Sequence, residues 1–322
     1  MTTRTAAAHA VRTHSLVRDY GGGAGLHGVD LEVPKNEVYG LIGRNGAGKT
    51  TVLSIIAGLR RADAGRVEMG VAPGRTAFCP DTPEFEPWLT AAEVVRQSLG
   101  LAASAGRGEG DRGRERESDA VARRLAEVGL TEAAQRRTGG FSRGMKQRLS
   151  LAAALVLDPE LLILDEPTSA LDPTGRADVL ALISGLEGTR TVIFSSHVLP
   201  DVQRVAGSVG VLDRGRLLFQ GTMSGLIDAY ARPVWEVRVR GAAGPLAERL
   251  RTLPWVVGAD AGQDGRLVVE ARSAEAGELG LARELGSAGA RLVSLNPVDA
   301  DLETAFLTLT GERIPGGGGA DD

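Results

Sequence analysis

Hydrophobic and polar positions divide the chain into short apolar runs separated by glycine- and proline-rich breaks. Residues 11–20 and 29–33 alternate apolar and polar side chains, the period of half-buried strands, and the glycine cluster at 21–25 predicts the turn between them. Residues 37–42 predict a short buried strand, and 51–57 a helix closed by Gly58. Strands are expected at 65–68 and from Thr76 to Cys79, the second ended in a loop by Pro80 and Pro83. Residues 89–100 and 119–128 carry helical spacing. Between them, 102–118 are Gly, Arg, Glu, Ser and Asp without periodicity, and predict a solvated or disordered excursion. Ser142 is placed to cap a helix running to about 157. Leu161-Leu162-Ile163-Leu164 is a continuous apolar run ending in Asp165 and Glu166. That pattern predicts a central parallel strand covered on both faces, its acids at the C-terminal edge where open α/β sheets bind ligands. A turn at 169–173 leads into a helix to about 186. Residues 191–197 form another buried run, ending in Ser195, Ser196 and His197. A hairpin at 209–213 and 216–220 and a helix at 222–230 complete this part.

After Pro233 the pattern changes to strand 234–240, helix 245–253, strands 255–260 and 266–271, helix 274–288 and strand 291–295. The order β-α-β-β-α-β predicts a small ferredoxin-like α+β domain, with Trp235 and Trp255 in its core and a last helix at 299–310. The expected organisation is a flexible N-terminus at 1–10, an α/β domain at 11–231, an accessory domain at 232–311 and a disordered tail at 312–322.

Composition narrows the classes. A chain of 322 residues has room for two domains. A net charge of −4 argues against constitutive nucleic-acid binding, which leaves a basic footprint. A single cysteine, Cys79, rules out an intramolecular disulfide and a cysteine-based zinc site. The most apolar stretches, 149–157 and 161–164, fall well short of the roughly 20 residues that cross a bilayer. Residues 1–15 lack the apolar region of a signal peptide. The chain is therefore expected to be cytoplasmic, with any membrane role exercised through a partner.

The strongest chemistry lies at Gly43-Arg44-Asn45-Gly46-Ala47-Gly48-Lys49-Thr50, which fits G-x-x-x-x-G-K-[ST] between a predicted strand and a predicted helix. Glycines let backbone N–H groups converge on an anion, and the helix N-terminus adds free donors and its dipole. Lys49 brings a mobile charge to the outer phosphates, and the Thr50 hydroxyl suits Mg²⁺. Only three of the 37 basic residues are lysines, so a lysine kept at 49 suggests that a compact ammonium is needed there. Asp165 is placed to hold Mg²⁺ and Glu166 to polarise a water. Taken alone, Tyr20 is a strand tyrosine and His197 a structural histidine.

Together these stretches resemble the ATP-binding subunit of an ABC transporter, across about residues 10–230. The P-loop is similar to Walker A and 161–166 to Walker B. Ser142, Gly144 and Gln147-Arg148 resemble the signature motif, and Ser169 to Asp172 the D-loop. His197 resembles the switch histidine and Tyr20 the adenine-stacking aromatic. The resemblance implies a P-loop NTPase core with a helical subdomain and an antiparallel β subdomain. It implies ATP and Mg²⁺, and head-to-tail pairing with a second ATP-binding subunit, as homodimer or heterodimer. The nucleotide would lie on Tyr20 and the stretch Gly43, Arg44, Asn45, Gly46, Ala47, Gly48, Lys49, Thr50 and Thr51. Ser142 and Gly144 would close on the γ-phosphate in trans. Thr50 and Asp165 would hold the metal, with Asp81 reaching it through water. Glu166 would act as base or water orienter and His197 as γ-phosphate sensor, while Asp172 would bridge subunits. Asp81 stands where the family usually carries Gln, and Arg143 and Met145 where many members have Gly and Gln. These departures and the ending 301–311 resemble the drug- and antibiotic-exporter subgroup, whose permease is a separate polytopic protein of the type-2 export class. The implied place is the inner face of the cell membrane, held there by the permease. A soluble ABC ATPase acting on ribosomes or DNA is the alternative. The single ATPase unit, the lack of coiled coils and the acidic balance weigh against it. A P-loop kinase or GTPase leaves Ser142–Arg148 and His197 unexplained.

Overall fold

The computed structural model describes residues 9–104, 114–298 and 301–311. The expectations for 1–8, 105–113 and 312–322 lie outside these residues. The chain divides into two compact units, 1–223 and 224–322, a division upstream of the expected boundary at 231.

The first unit begins with an antiparallel sheet. Its strands are β1 (His9–Gly21), β2 (Ala24–Val29) and β3 (Glu32–Pro34), in the order β2-β1-β3. The expected turn at 21–25 is shorter, because β2 already starts at Ala24. A side chain on Gly25 would run into the Arg18 carbonyl, so this glycine serves strand pairing rather than the turn. The run expected at 29–33 is split between the end of β2 and β3.

Next come β4 (Val38–Ile42), α1 (Lys49–Ile56), β5 (Ala64–Met69), β6 (Thr76–Cys79) and three helices, α2 (Ala91–Ser104), α3 (Arg114–Glu127) and α4 (Arg143–Leu155). β5 pairs with β1. The helices α2, α3 and α4 pack on one another. Helix α3 starts inside the stretch expected to be an excursion. Its first residues, Arg-Glu-Arg-Glu-Ser, lack an apolar stripe, yet Arg and Glu are good helix formers. Beyond α4 lie β7 (Leu161–Leu164), α5 (Pro173–Ser184), β8 (Thr191–Ser196), α6 (Leu199–Val205), β9 (Ser208–Asp213) and β10 (Arg216–Thr222). Helix α6 was not anticipated.

These strands form one sheet in the order β10-β9-β4-β8-β7-β6. It is parallel throughout except for the edge hairpin β9–β10. Parallel strands covered on both faces read as unbroken apolar runs, and β4, β7 and β8 are buried at every position. Val11, Leu16 and Leu26 of the antiparallel sheet, Val52 and Leu53 of α1, and Tyr39, Leu41, Ile163 and Ile193 of the parallel sheet share one core. Strand β8 lies between β4 and β7, so three chain segments far apart in sequence end side by side at one edge.

The second unit holds α7 (Met223–Tyr230), β11 (Val234–Arg240), α8 (Gly244–Arg251), β12 (Val256–Ala261), β13 (Arg266–Ala271), α9 (Ala274–Ser287), β14 (Arg291–Val298) and α10 (Leu302–Thr310). Met223 itself falls in the first unit. Its sheet runs β12-β13-β11-β14, antiparallel throughout, the ferredoxin-like arrangement. Strand β14 is longer than expected, and it accepts Pro297 because it is an edge strand. The last helix starts later than expected, at Leu302, capped by Asp301. Trp235 is buried in the core and Trp255 packs against it.

Candidate nucleotide site

At the C-terminal end of β4 the chain turns through Gly43 to Gly48 into α1. A side chain on Gly43 would strike the Leu212 carbonyl, and Gly46 and Gly48 have φ of 83° and 105°. Gly48 caps α1 with no side-chain hydrogen bond. Gly48 has no side chain to accept from the first-turn N–H groups of α1, and a negative group would satisfy both them and the helix dipole. The Lys49 ammonium, 6% exposed, curls back over the loop. It donates to the Gly43 carbonyl at 2.7 Å and the Arg44 carbonyl at 3.3 Å, and it pairs with Glu166 Oε1 at 3.2 Å.

Glu166 lies two residues past the end of β7 and is held from two sides. Its backbone φ is 47°, a strained value for a residue with a Cβ. Its N–H donates to Ser195 Oγ at 2.9 Å, and that hydroxyl donates to Asp165 Oδ1 at 2.6 Å. Ser195, at the end of β8, thus pins both acids. Glu166 Oε2 faces His197 Nδ1 at 2.8 Å. A carboxylate only accepts, so the proton of this bond sits on Nδ1.

The structure brings Lys49, Asp165, Glu166 and His197 to one edge, through the adjacency of β4, β8 and β7. Asp81, Ser142, Gly144, Asp172 and Tyr20 make other contacts. Asp81 follows β6 and accepts from Ser169 Oγ at 2.6 Å. Ser142 caps α4, accepting from Met145 N–H at 3.2 Å. A side chain on Gly144 would press on Leu171 and the Ala170 carbonyl, so the start of α4 lies against the loop that ends at Asp172. Asp172 caps α5, accepting from Gly175 N–H at 3.1 Å. Tyr20 is 45% exposed at the end of β1, with the Arg18 and Arg60 guanidiniums 5.3 and 5.7 Å from its ring centre. Slight burial raises its phenol pKa, but hydrogen bonds from Thr51, Arg60 and Arg18 outweigh this and hold it below the usual tyrosine value. Arg44, Asn45 and Thr50 are exposed, while Ala47 is buried.

The donor set suits a nucleotide and its metal. An uncapped helix start, backbone free of Cβ groups and one buried ammonium make an anion site. The Thr50 hydroxyl and the Asp165 carboxylate are hard oxygen donors, the kind Mg²⁺ takes alongside phosphate oxygens. Sequence reasoning missed Ser195, Thr168, Arg176 and Asp201, all of which hold the acids or their neighbours. Ser195 alone left a signal, a hydroxyl at the end of a buried strand.

The model of the ABC transporter family matches residues 26–169. The bacitracin transport ATP-binding protein BcrA of Enterococcus faecalis is 31% identical over 322 residues, covering 97% of this chain and 98% of that protein. The chain belongs to the ABC transporter family. It is an ATP-binding and ATP-hydrolysing subunit of that family, similar to subunits named for antibiotic transport and resistance. The linearmycin resistance ATP-binding protein LnrL of Bacillus subtilis (strain 168) is 30% identical, covering 94% of this chain and 99% of its own length. A solved ATP-binding subunit of an ABC transporter superposes with a TM-score of 0.59 at 26% identity, over 68% of this chain and 92% of that one. Among the described residues, no helix is long and apolar enough to cross a membrane. Membership of the family implies a membrane permease as partner.

Proposed function

We propose that the chain powers an exporter in which two such subunits, identical or a sister pair, close around two ATP molecules. They drive a separate polytopic permease in drug or antibiotic efflux, at the inner face of the cell membrane. The carrying observation is the unbroken line Lys49–Glu166–His197 beside the uncapped start of α1. The names of the relatives, bacitracin transport and linearmycin resistance, support the cargo class.

In this reading the N–H groups of 43–51 and the Lys49 ammonium bind the phosphates, and the base stacks on Tyr20. Thr50 and Asp165 would hold Mg²⁺, and Asp81 would reach it through water. The ion supplies neutralisation of charge on the phosphate oxygens. Lys49 leaves Glu166 for the phosphates. Glu166 is then free to orient or deprotonate the attacking water, and His197 holds it in place and reads the γ-phosphate. Ser142 and Gly144 of a second subunit complete the cage at another helix N-terminus, and Asp172 bridges the pair. The permease docks on the exposed Trp88 and the groove of about 410 Å³ beside it, lined by Phe85, Pro87 and Leu89, close after Asp81 in the chain.

The test is affinity purification of tagged Glu166→Gln from detergent-solubilised membranes with MgATP. A stoichiometric polytopic membrane protein is expected. Recovery only with ribosomes or DNA-associated proteins would overturn the exporter reading while leaving the ATP chemistry intact.

A further inference from the structure

Asp201 lies in the first turn of α6 and is 4% exposed, yet it touches none of the residues assigned to nucleotide. Its carboxylate is fully engaged. Thr168 Oγ1 donates to Oδ2 at 2.8 Å, while Arg176 Nε and Nη2 both reach Oδ1 at 2.7 Å. Asp201 and its two partners come from three segments, each anchored to a different motif. Thr168 follows Glu166 by two positions. Arg176 sits on α5, whose cap is Asp172. Helix α6 begins directly after His197 and Val198.

The Asp201 carboxylate is buried while the Arg176 guanidinium is about a third exposed, and such a pair adds little to stability, since burying the carboxylate offsets much of the attraction. What it does supply is direction. Charge-assisted hydrogen bonds fix angle as well as distance. We infer that Asp201 is a positioning residue that sets the 2.8 Å approach of His197 to Glu166. It does so by locking the segment after Glu166 to the helix after His197, with Arg176 as the brace from α5. The inference rests on the reading of Glu166 and His197 as the hydrolytic pair.

Removing Asp201 would strand the Arg176 charge, so the sharper variant is Thr168→Val, which deletes one hydroxyl at nearly constant volume. In the full chain, kcat is expected to fall about 10- to 100-fold, the scale of a misplacement near 1 Å. Affinity for a non-hydrolysable ATP analogue should stay within about twofold, because the P-loop is untouched. Thr168→Ser, which restores the donor, should return kcat to near wild type. Unchanged kcat in Thr168→Val overturns the inference. So does a parallel loss of kcat and analogue affinity, which marks a merely structural contact. If Thr168→Val does not fold, Asp201→Asn carries the same split. It keeps an acceptor for Thr168 but weakens the Arg176 brace. Glu166→Gln and His197→Ala separate the two levels. If both hydrolyse normally, the hydrolytic-pair reading fails; if both are inactive and Thr168→Val is normal, only the role of Asp201 fails.

Discussion

Glu166 pairs with the ammonium that the proposed reading assigns to phosphate. Its Oε1 lies 3.2 Å from Lys49 Nζ, and its side chain is only 14% exposed. Nucleotide must therefore displace a carboxylate from its cation before it gains the same cation. Glu166→Gln removes this competitor while keeping the shape. The ammonium keeps a hydrogen bond to the Gln amide oxygen but loses the attraction of an opposite charge, so the swap frees roughly 1 kcal/mol. It also deletes a negative charge facing the triphosphate. At an effective dielectric of about 20 and roughly 6 Å, that repulsion is near 3 kcal/mol, and screening at the pocket mouth reduces it to about 1–2. The sum, about 2–3 kcal/mol, predicts analogue binding roughly 30- to 150-fold tighter than wild type. The assay is equilibrium binding of a non-hydrolysable ATP analogue to dilute full-length protein, so that failure to turn over cannot mimic affinity. The gain should shrink as salt is raised. Affinity equal to or weaker than wild type would refute the competition argument, whatever the variant does to turnover.

Lys49→Ala should weaken analogue binding at least about 100-fold, since several charge-assisted contacts end on one ammonium; unchanged binding in the same titration would count against the P-loop reading. Gly277→Ala places a methyl group inside the Trp235 indole, and an overpacked core loses about 1–3 kcal/mol. Tryptophan fluorescence should report earlier melting of the second unit, with analogue binding by the first unchanged. Cys79 is sealed in the core, and burial pushes its thiol up to about 12 against a weak opposing hydrogen bond to the Ser150 carbonyl. Alkylation near pH 8 should thus be slow in the native chain and fast after unfolding. Because the folded value is the raised one, its contribution to stability is intact below about pH 9 and is lost as pH climbs toward 12, readable in denaturant midpoints.

The P-loop was legible because glycine spacing, Lys49 and the strand-helix context constrain one another locally. Asp165 and Glu166 were legible because a fully apolar run has few other ways to end. The placing of β8 between β4 and β7 was not, since strand adjacency leaves no local trace in a parallel sheet. That adjacency is what brings Ser195 under both acids. Helix α6 escaped because it spans only seven residues with a proline in its first turn, too short for a period to show, and Asp201 went with it. Residues 114–118 were misread because a helix start without apolar residues looks like solvated chain. Within the glycine cluster at 21–25 the turn is there at 22–23, but Gly25 was misread: glycine marks close backbone approach as readily as a turn, and Gly25 is the former.

The contacts also limit how the signature segment can act. Gly144 is packed against Ala170 and Leu171, and that loop ends at Asp172, the cap of α5. From α5, Arg176 grips Asp201, which grips Thr168, two positions after Glu166. In parallel, Ser169 holds Asp81, and Gln147 of α4 donates to the Pro80 carbonyl at 3.4 Å. Within one subunit, then, these contacts join the start of α4, through the Asp172 loop and α5, to the segment that follows Glu166. Under the proposed pairing, a nucleotide on one subunit that engages Ser142 of the other pushes on this same chain of contacts. The subunit that lends its signature would feel the event at its own Glu166, through hydrogen bonds and packing rather than through its own nucleotide. A shift of the His197 signal in a Lys49→Ala subunit paired with a nucleotide-loaded one would reveal that route, and Thr168→Val should abolish the shift.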